Sequence, residues 1–163
     1  MSENELVIRR ADDQCEIIWD HRYLPILIGH VVGEASMPAV DFFFTVRDAA
    51  LMAAAKDGSK VVIISDMTRY TMPPATIRKA LGERAKNDPN IPSILGYVNV
   101  VPNALLRGMV TAIQWLVGDG LRPVKTVATL QEGIKTAIQM LSNAGIELDT
   151  ASFLTRYQPP SGL

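Results

Sequence analysis

The chain has 163 residues, 48% of them hydrophobic and 20% charged, with a formal net charge of -1. That length carries one sizeable core rather than two, and the balanced charge gives no electrostatic reason to expect nucleic acid as a partner. The single cysteine excludes an intrachain disulfide, and no apolar run approaches the roughly 20 residues needed to span a bilayer. The first residues are acidic and polar, unlike a secretory leader, so a cytoplasmic location is expected.

Two short strands open the chain, Leu6–Ile8 and Cys15–Trp19, separated by a hairpin turn at Ala11-Asp12-Asp13. Cys15 sits among apolar neighbours and reads as a small hydrophobe. A third strand follows over Leu24–Val32, beginning near Ile26 because Pro25 has no ladder donor, and Gly33 closes it. Ser36 then caps a helix with Pro38 in its first turn. Val40, Phe43, Phe44, Ala50, Leu51 and Ala54 form its buried side, Arg47 and Asp48 its wet side, and Gly58 its stop. Of Phe42, Phe43 and Phe44, at least one should face away from the sheet, because three adjacent residues wrap most of a turn.

Val61–Ile64 is an unbroken β-branched run, as expected of a strand covered on both faces. It ends in Ser65 and Asp66, followed by a polar turn and Pro73-Pro74. A polar helix runs through Ala75, Ile77, Ala80, Leu81 and Arg84. Asn87–Pro92 is a loop whose prolines disfavour helix. Leu95–Val101 is the next strand. Asn103 caps a helix with the stripe Leu105, Leu106, Met109, Val110, Ile113, Leu116 and Val117, terminated by Gly118-Asp119-Gly120. Pro123–Ala128 is a short last strand with Lys125 outward. Thr129 and Glu132 make a capping box for a final helix with Ile134, Ala137, Ile138 and Leu141 inward, ended by Gly145. The order predicts an α/β fold with a mixed, partly parallel β-sheet. Residues 1–145 form one domain, with right-handed crossovers placing helices on both faces. Residues 146–163 form a C-terminal tail that Phe153, Leu154 and Tyr157 could anchor.

The common site signatures are absent from the sequence: no P-loop, dinucleotide fingerprint, zinc cluster or nucleophile elbow. No catalytic residue, metal ligand or cofactor is assigned. In open α/β sheets, function concentrates beyond the carboxyl ends of the strands, which points to Asp66, Thr68, Arg69, Tyr70, Thr71, Met72 and Thr76. Asp66 is read first as the cap of a turn, and as a base only if its surroundings raise its pKa. Thr68 and Thr71 are turn hydroxyls, where phosphorylation would add about two negative charges. Arg69 and Tyr70 either form a recognition patch or belong to a solvated turn. Arg107, near a helix start, either strengthens an anion site or pairs with an acidic residue. His30, in an apolar stretch, reads as a satisfied structural histidine, and Trp115 as a packing residue.

The element order, the strand ending Val61-Val62-Ile63-Ile64-Ser65-Asp66, the segment Gly96-Tyr97-Val98-Asn99-Val100, and the Arg107 helix followed by Arg122-Pro123-Val124 resemble the STAS/SEC14-like superfamily, especially SpoIIAA-like proteins. The resemblance covers approximately residues 24–144. It implies a mixed sheet with helices and a regulatory, partner-binding role. In anti-sigma-factor antagonists of this kind, a phosphorylatable serine lies in an Asp-Ser-Ser-Gly-like segment. Here the comparable stretch is Met72-Pro73-Pro74-Ala75-Thr76, with Thr76 the nearest hydroxyl, so the phosphoswitch is not carried over. SEC14-related members bind lipids.

The leading expectation is a non-enzymatic regulatory or protein-interaction domain, with a protein partner or a second copy of itself in a homodimer. It would bind through the Asp66–Thr76 stretch, with Tyr70 or Met72 as an exposed anchor. The alternative is a small apolar ligand, or a lipid, held between helices and sheet by Phe43, Phe44, Met109 and Ile113. A third reading is an enzyme in which Asp66 or Glu83 meets a hydroxyl, histidine or arginine across a pocket.

Overall fold

The first two strands form a hairpin. β1 (Val7–Ala11) and β2 (Cys15–Asp20) run antiparallel. The turn between them is held by Asp12, whose Oδ1 accepts from the amides of Gln14 and Cys15 at 2.9 and 2.8 Å. β2 pairs antiparallel with β3 (Ile26–Glu34), and β3 pairs parallel with β4 (Val61–Thr71). Two more parallel strands, β5 (Ile94–Val100) and β6 (Val124–Val127), complete a six-stranded sheet whose strand order is the sequence order. This computed structural model describes residues 6–117 and 122–163, and the Gly118-Asp119-Gly120 terminator lies outside them, as do the side chains of Leu116 and Val117. The fold is thus the expected α/β class, mixed and largely parallel.

The helices are α1 (Met37–Lys56), α2 (Ala75–Lys86), α3 (Ala104–Val117), α4 (Leu130–Asn143) and α5 (Thr150–Arg156). Their ends follow the local sequence. Ser36 Oγ accepts from the Ala39 amide, Asn103 Oδ1 from that of Leu106, and Thr129 and Glu132 form the reciprocal capping box. Gly58, just past α1, sits at φ +68°, where a side chain would be strained.

The crossovers differ from expectation in one respect. α1, α2 and α3 all lie against one sheet face, with Ile17, Leu27, Val31, Ile63 and Met67. Because each parallel strand is added on the same side of the last, crossovers of one hand place their helices on one face. The opposite face, with Ile26, Ile28, Val62, Ile64, Val98 and Val100, is covered by α4 and α5. α5 falls within residues 146–163, where Phe153 is 4% exposed. Its ring lies 5.4 Å from that of Tyr23.

Two other expectations are corrected by packing. Arg47, placed on the wet side of α1, is only 4% exposed. Leu105 and Trp115, placed in the buried stripe of α3 and in packing, are 70% and 81% exposed. Leu106, Met109, Val110 and Ile113 already fill the inner face of α3. Trp115, two residues past Ile113, is turned about 200° around the helix. None of Phe42, Phe43 and Phe44 faces away: Phe44 is buried, and the other two pack against the same core.

Candidate functional site

The expected site residues are divided between the two faces of the sheet. β4 does not stop at Asp66 but continues through Thr71, so alternate side chains keep facing opposite layers. Asp66 points toward α4 and α5. Ser65, Met67 and Tyr70 point toward α1–α3, where they line a cavity. A one-residue bulge makes this possible: His30 pairs with Asp66 and Val32 with Arg69, so the two residues between on β4 face one on β3. Met67 and Tyr70, three apart, would otherwise point to opposite faces; the extra residue puts both in the same core. Tyr70 is therefore 9% exposed and is not a surface anchor.

Thr68, Arg69 and Thr71 lie exposed near the carboxyl end of β4, and Thr76 is exposed in the first turn of α2. Met72 is half-buried. Arg107 is exposed and donates to the Val101 carbonyl at 3.4 Å; among the described residues it has no acidic partner.

On the α1–α3 side, the cavity has a volume of about 180 Å³. Phe43, Phe44, Met109 and Ile113 all line it, because the inner faces of α1 and α3 converge over the sheet. Its sheet wall carries Ser65 and Asn99, directly opposite one another in the β4–β5 register. Both side chains are half-buried, and among the described residues neither has a hydrogen-bond partner, nor has the Tyr70 hydroxyl. Burial pushes the Tyr70 phenol well above its ordinary pKa, with Cys15 and Glu34 adding to the effect, so it stays neutral.

Arg47 is the charged residue in this lining. Its Nη2 lies 2.6 Å from Asp48 Oδ1 and 3.0 Å from Asp88 Oδ2, and its guanidinium stacks 4.6 Å from the Phe44 ring centre. The Asp88 side chain is 1% exposed and also accepts from the Tyr97 hydroxyl at 3.2 Å. Two carboxylates therefore neutralise one buried cation. Sequence reasoning missed this cluster, because Arg47 and Asp88 are far apart in the chain.

On the other face, Asp66 Oδ2 lies 2.8 Å from His30 Nδ1, and Asp66 Oδ1 accepts from the Thr68 amide at 3.1 Å. Asp66 does not cap a turn as expected: it lies inside β4, and its contact with the Thr68 amide falls at the bulge. Burial raises its pKa, but the hydrogen bonds from His30 and Thr68 outweigh burial and hold it below the usual carboxylate value. Asp66 is thus an acceptor and a poor base at neutral pH. With the carboxylate ionised, Nδ1 carries the imidazole proton. The other ring nitrogen, Nε2, faces the Tyr157 hydroxyl at 3.4 Å. His30 is 1% exposed, as a structural histidine should be. The arrangement fastens the segment after α5 to the sheet. Arg22, bidentate to the buried Asp20, extends that fastening through the Gln158 carbonyl at 2.9 Å.

Among the described residues, no group of three or more His, Cys, Asp or Glu could hold a metal ion, and no helix is long and apolar enough to cross a membrane. No protein-family model and no curated protein matches the sequence. Among solved structures, the chain is similar to the crystal structure of an anti-sigma factor antagonist from Mycobacterium paratuberculosis. Identity is 15% and the TM-score 0.45, over 78% of this chain and 97% of that one.

Proposed function

We propose that the chain is a non-enzymatic binding module whose ligand is a small apolar molecule held between the sheet and α1–α3. The observation that carries this reading is the cavity of about 180 Å³ bounded by Phe43, Phe44, Met109 and Ile113. An apolar cavity of roughly 150 Å³ holds a benzene-sized molecule, so the space suits a monocyclic compound or a short chain and is too small for a whole lipid. Apolar walls with a few polar groups are the usual composition of such sites. The polar cluster on the opposite face supports the non-enzymatic part, since His30 is sealed by Tyr157 and Asp66 is committed to two donors.

A protein-partner reading is favoured by a separate feature. Between α2 and α3 runs a groove lined by the apolar Met72, Leu105 and Met109 and by the basic Arg78, Lys79 and Lys86. Among the described residues its one acid, Glu83, is within 3.9 Å of Lys79. An acidic amphipathic helix of a partner protein fits that chemistry. Because α3 borders both spaces, a ligand beneath it would bias the groove outside, which is the form a regulatory interaction domain would take.

Native mass spectrometry of protein isolated gently from its own cells tests both. A bound small mass that disappears in the cavity-filling variant Ile113→Trp is the expected result. Ligand-free protein in every preparation overturns the cavity reading. A stoichiometric polypeptide lost on Leu105→Asp places the function in the groove instead.

A further inference from the structure

The charge state of the cavity wall restricts what can enter it. Transfer of an ion from water into an apolar space is costly unless an opposite charge awaits it. Among the described residues, the one cation in the wall is Arg47, held by Asp48 and Asp88 and covered by Phe44. A carboxylate entering the cavity would therefore gain no free guanidinium, and would meet a cluster whose formal charge is already negative. An ammonium fares no better, because both carboxylates are engaged with Arg47, and Asp88 also serves Tyr97 and the Asn90 amide.

Neutral polar groups, by contrast, are free. Ser65 and Asn99 face one another across adjacent strands, and Tyr70 lies in the same wall. Among the described residues, their side chains have no hydrogen-bond partner. A hydroxyl and a carboxamide side by side offer both donors and an acceptor. Their polar atoms are not among the fully covered ones, so a ligand entering here takes the place of water, and one that supplies a hydrogen bond in return gains more than an apolar one of equal size.

We infer that the cavity selects an uncharged amphiphile, a small apolar body carrying one hydroxyl, carbonyl or amide group directed at Ser65 and Asn99, and rejects the corresponding carboxylate and ammonium. This rests on the apolar-ligand reading above and narrows it to a chemical class.

A matched series of probes tests it on the native protein: toluene, benzyl alcohol, benzoate and benzylammonium at pH 7. Binding is followed by the methyl resonances of Met67 and Met109, both in the cavity wall. Benzyl alcohol is expected to bind at least about 10-fold more tightly than either ion, a difference of about 1.4 kcal/mol. It should also bind more tightly than toluene, with that margin lost in Ser65→Ala and Asn99→Leu while toluene binding persists. Benzoate or benzylammonium binding as well as the alcohol overturns the selectivity but leaves the apolar-ligand reading standing. If toluene and benzyl alcohol both leave the methyl resonances unmoved, the apolar-ligand reading itself falls, and the selectivity with it.

Discussion

His30 and Asp66 face each other at paired positions of β3 and β4, with Nδ1 2.8 Å from Oδ2 on the sheet face that receives the segment after α5. The hydrogen bond joins the two strands through their side chains and presents Nε2 to Tyr157. Replacing Asp66 by Asn keeps the shape but removes the charged acceptor. Asp66→Asn should cost about 1.5–3 kcal/mol in urea unfolding, the usual range for a hydrogen bond to a charged group. Tyr157→Phe should cost less, because its contact with His30 is long.

The same carboxylate makes stability depend on pH. The pKa of Asp66 is lower in the folded chain than in the unfolded one. Its contribution is therefore complete above the unfolded carboxylate value, near about 4, and is lost as pH falls through the lower folded value. Unfolding free energies measured from pH 7 down to pH 2 should fall on the acid side, and Asp66→Asn should flatten that fall. An unchanged acid slope in Asp66→Asn would assign the dependence to other carboxylates.

Arg47 carries the largest single penalty expected on the other face. Arg47→Met leaves Asp88 buried without its cation, and should destabilise by about 3–5 kcal/mol, as removal of one partner from a buried ion pair does. Arg47→Lys should recover only part of that, since an ammonium cannot stack on Phe44 while reaching both carboxylates. Equal stability of the lysine and wild-type proteins in thermal unfolding would contradict this account.

Cys15 is 4% exposed, and burial, with the nearby Asp12 and Glu16 carboxylates, raises its pKa to about 11. At neutral pH it is a protonated, covered thiol, and the thiolate is the reactive form. Ellman's reagent should label it only on unfolding, giving a rate that tracks global opening. Rapid labelling of the native protein would mean that β2 opens locally.

Gly29 lies where an added Cβ would come within 2.7 Å of the Trp19 ring. Trp19 is fully buried and donates from Nε1 to the Phe43 carbonyl at 3.0 Å, so the ring has little freedom to retreat. Gly29→Ala should cost about 1–3 kcal/mol by overpacking, read as a lower denaturation midpoint with the indole fluorescence shifted.

Much of this architecture was legible from local chemistry. The Val61–Ile64 run is a doubly covered strand, Thr129 and Glu132 cap α4, and Ser36 and Asn103 cap α1 and α3. Each depends on residues within a few positions of one another. The binding surface was less legible, for a definite reason. Asp66, Tyr70 and Met72 look like one exposed loop in sequence, but β4 extends past Asp66 and its bulge sends Tyr70 inward. A bulge depends on the neighbouring strand, so it leaves no reliable mark in its own segment. Arg47 escaped notice similarly: its burial is set by Asp88, which no helical periodicity connects to it. The four apolar residues expected around a ligand, in contrast, do meet, because helix periodicity alone places them on inward faces.

The order of the strands in the sheet is their order in the chain, and this bears on how the protein is made. Each strand emerging from the ribosome finds its neighbour already synthesised, so the sheet can grow one edge at a time. The two layers do not mature together. α1, α2 and α3 arrive between strands and cover their face as it forms, whereas Ile26, Ile28, Val62, Ile64, Val98 and Val100 wait for α4 and α5. A nascent chain paused after β6 would carry a finished sheet with one bare apolar side, and that side is where a chaperone would engage it.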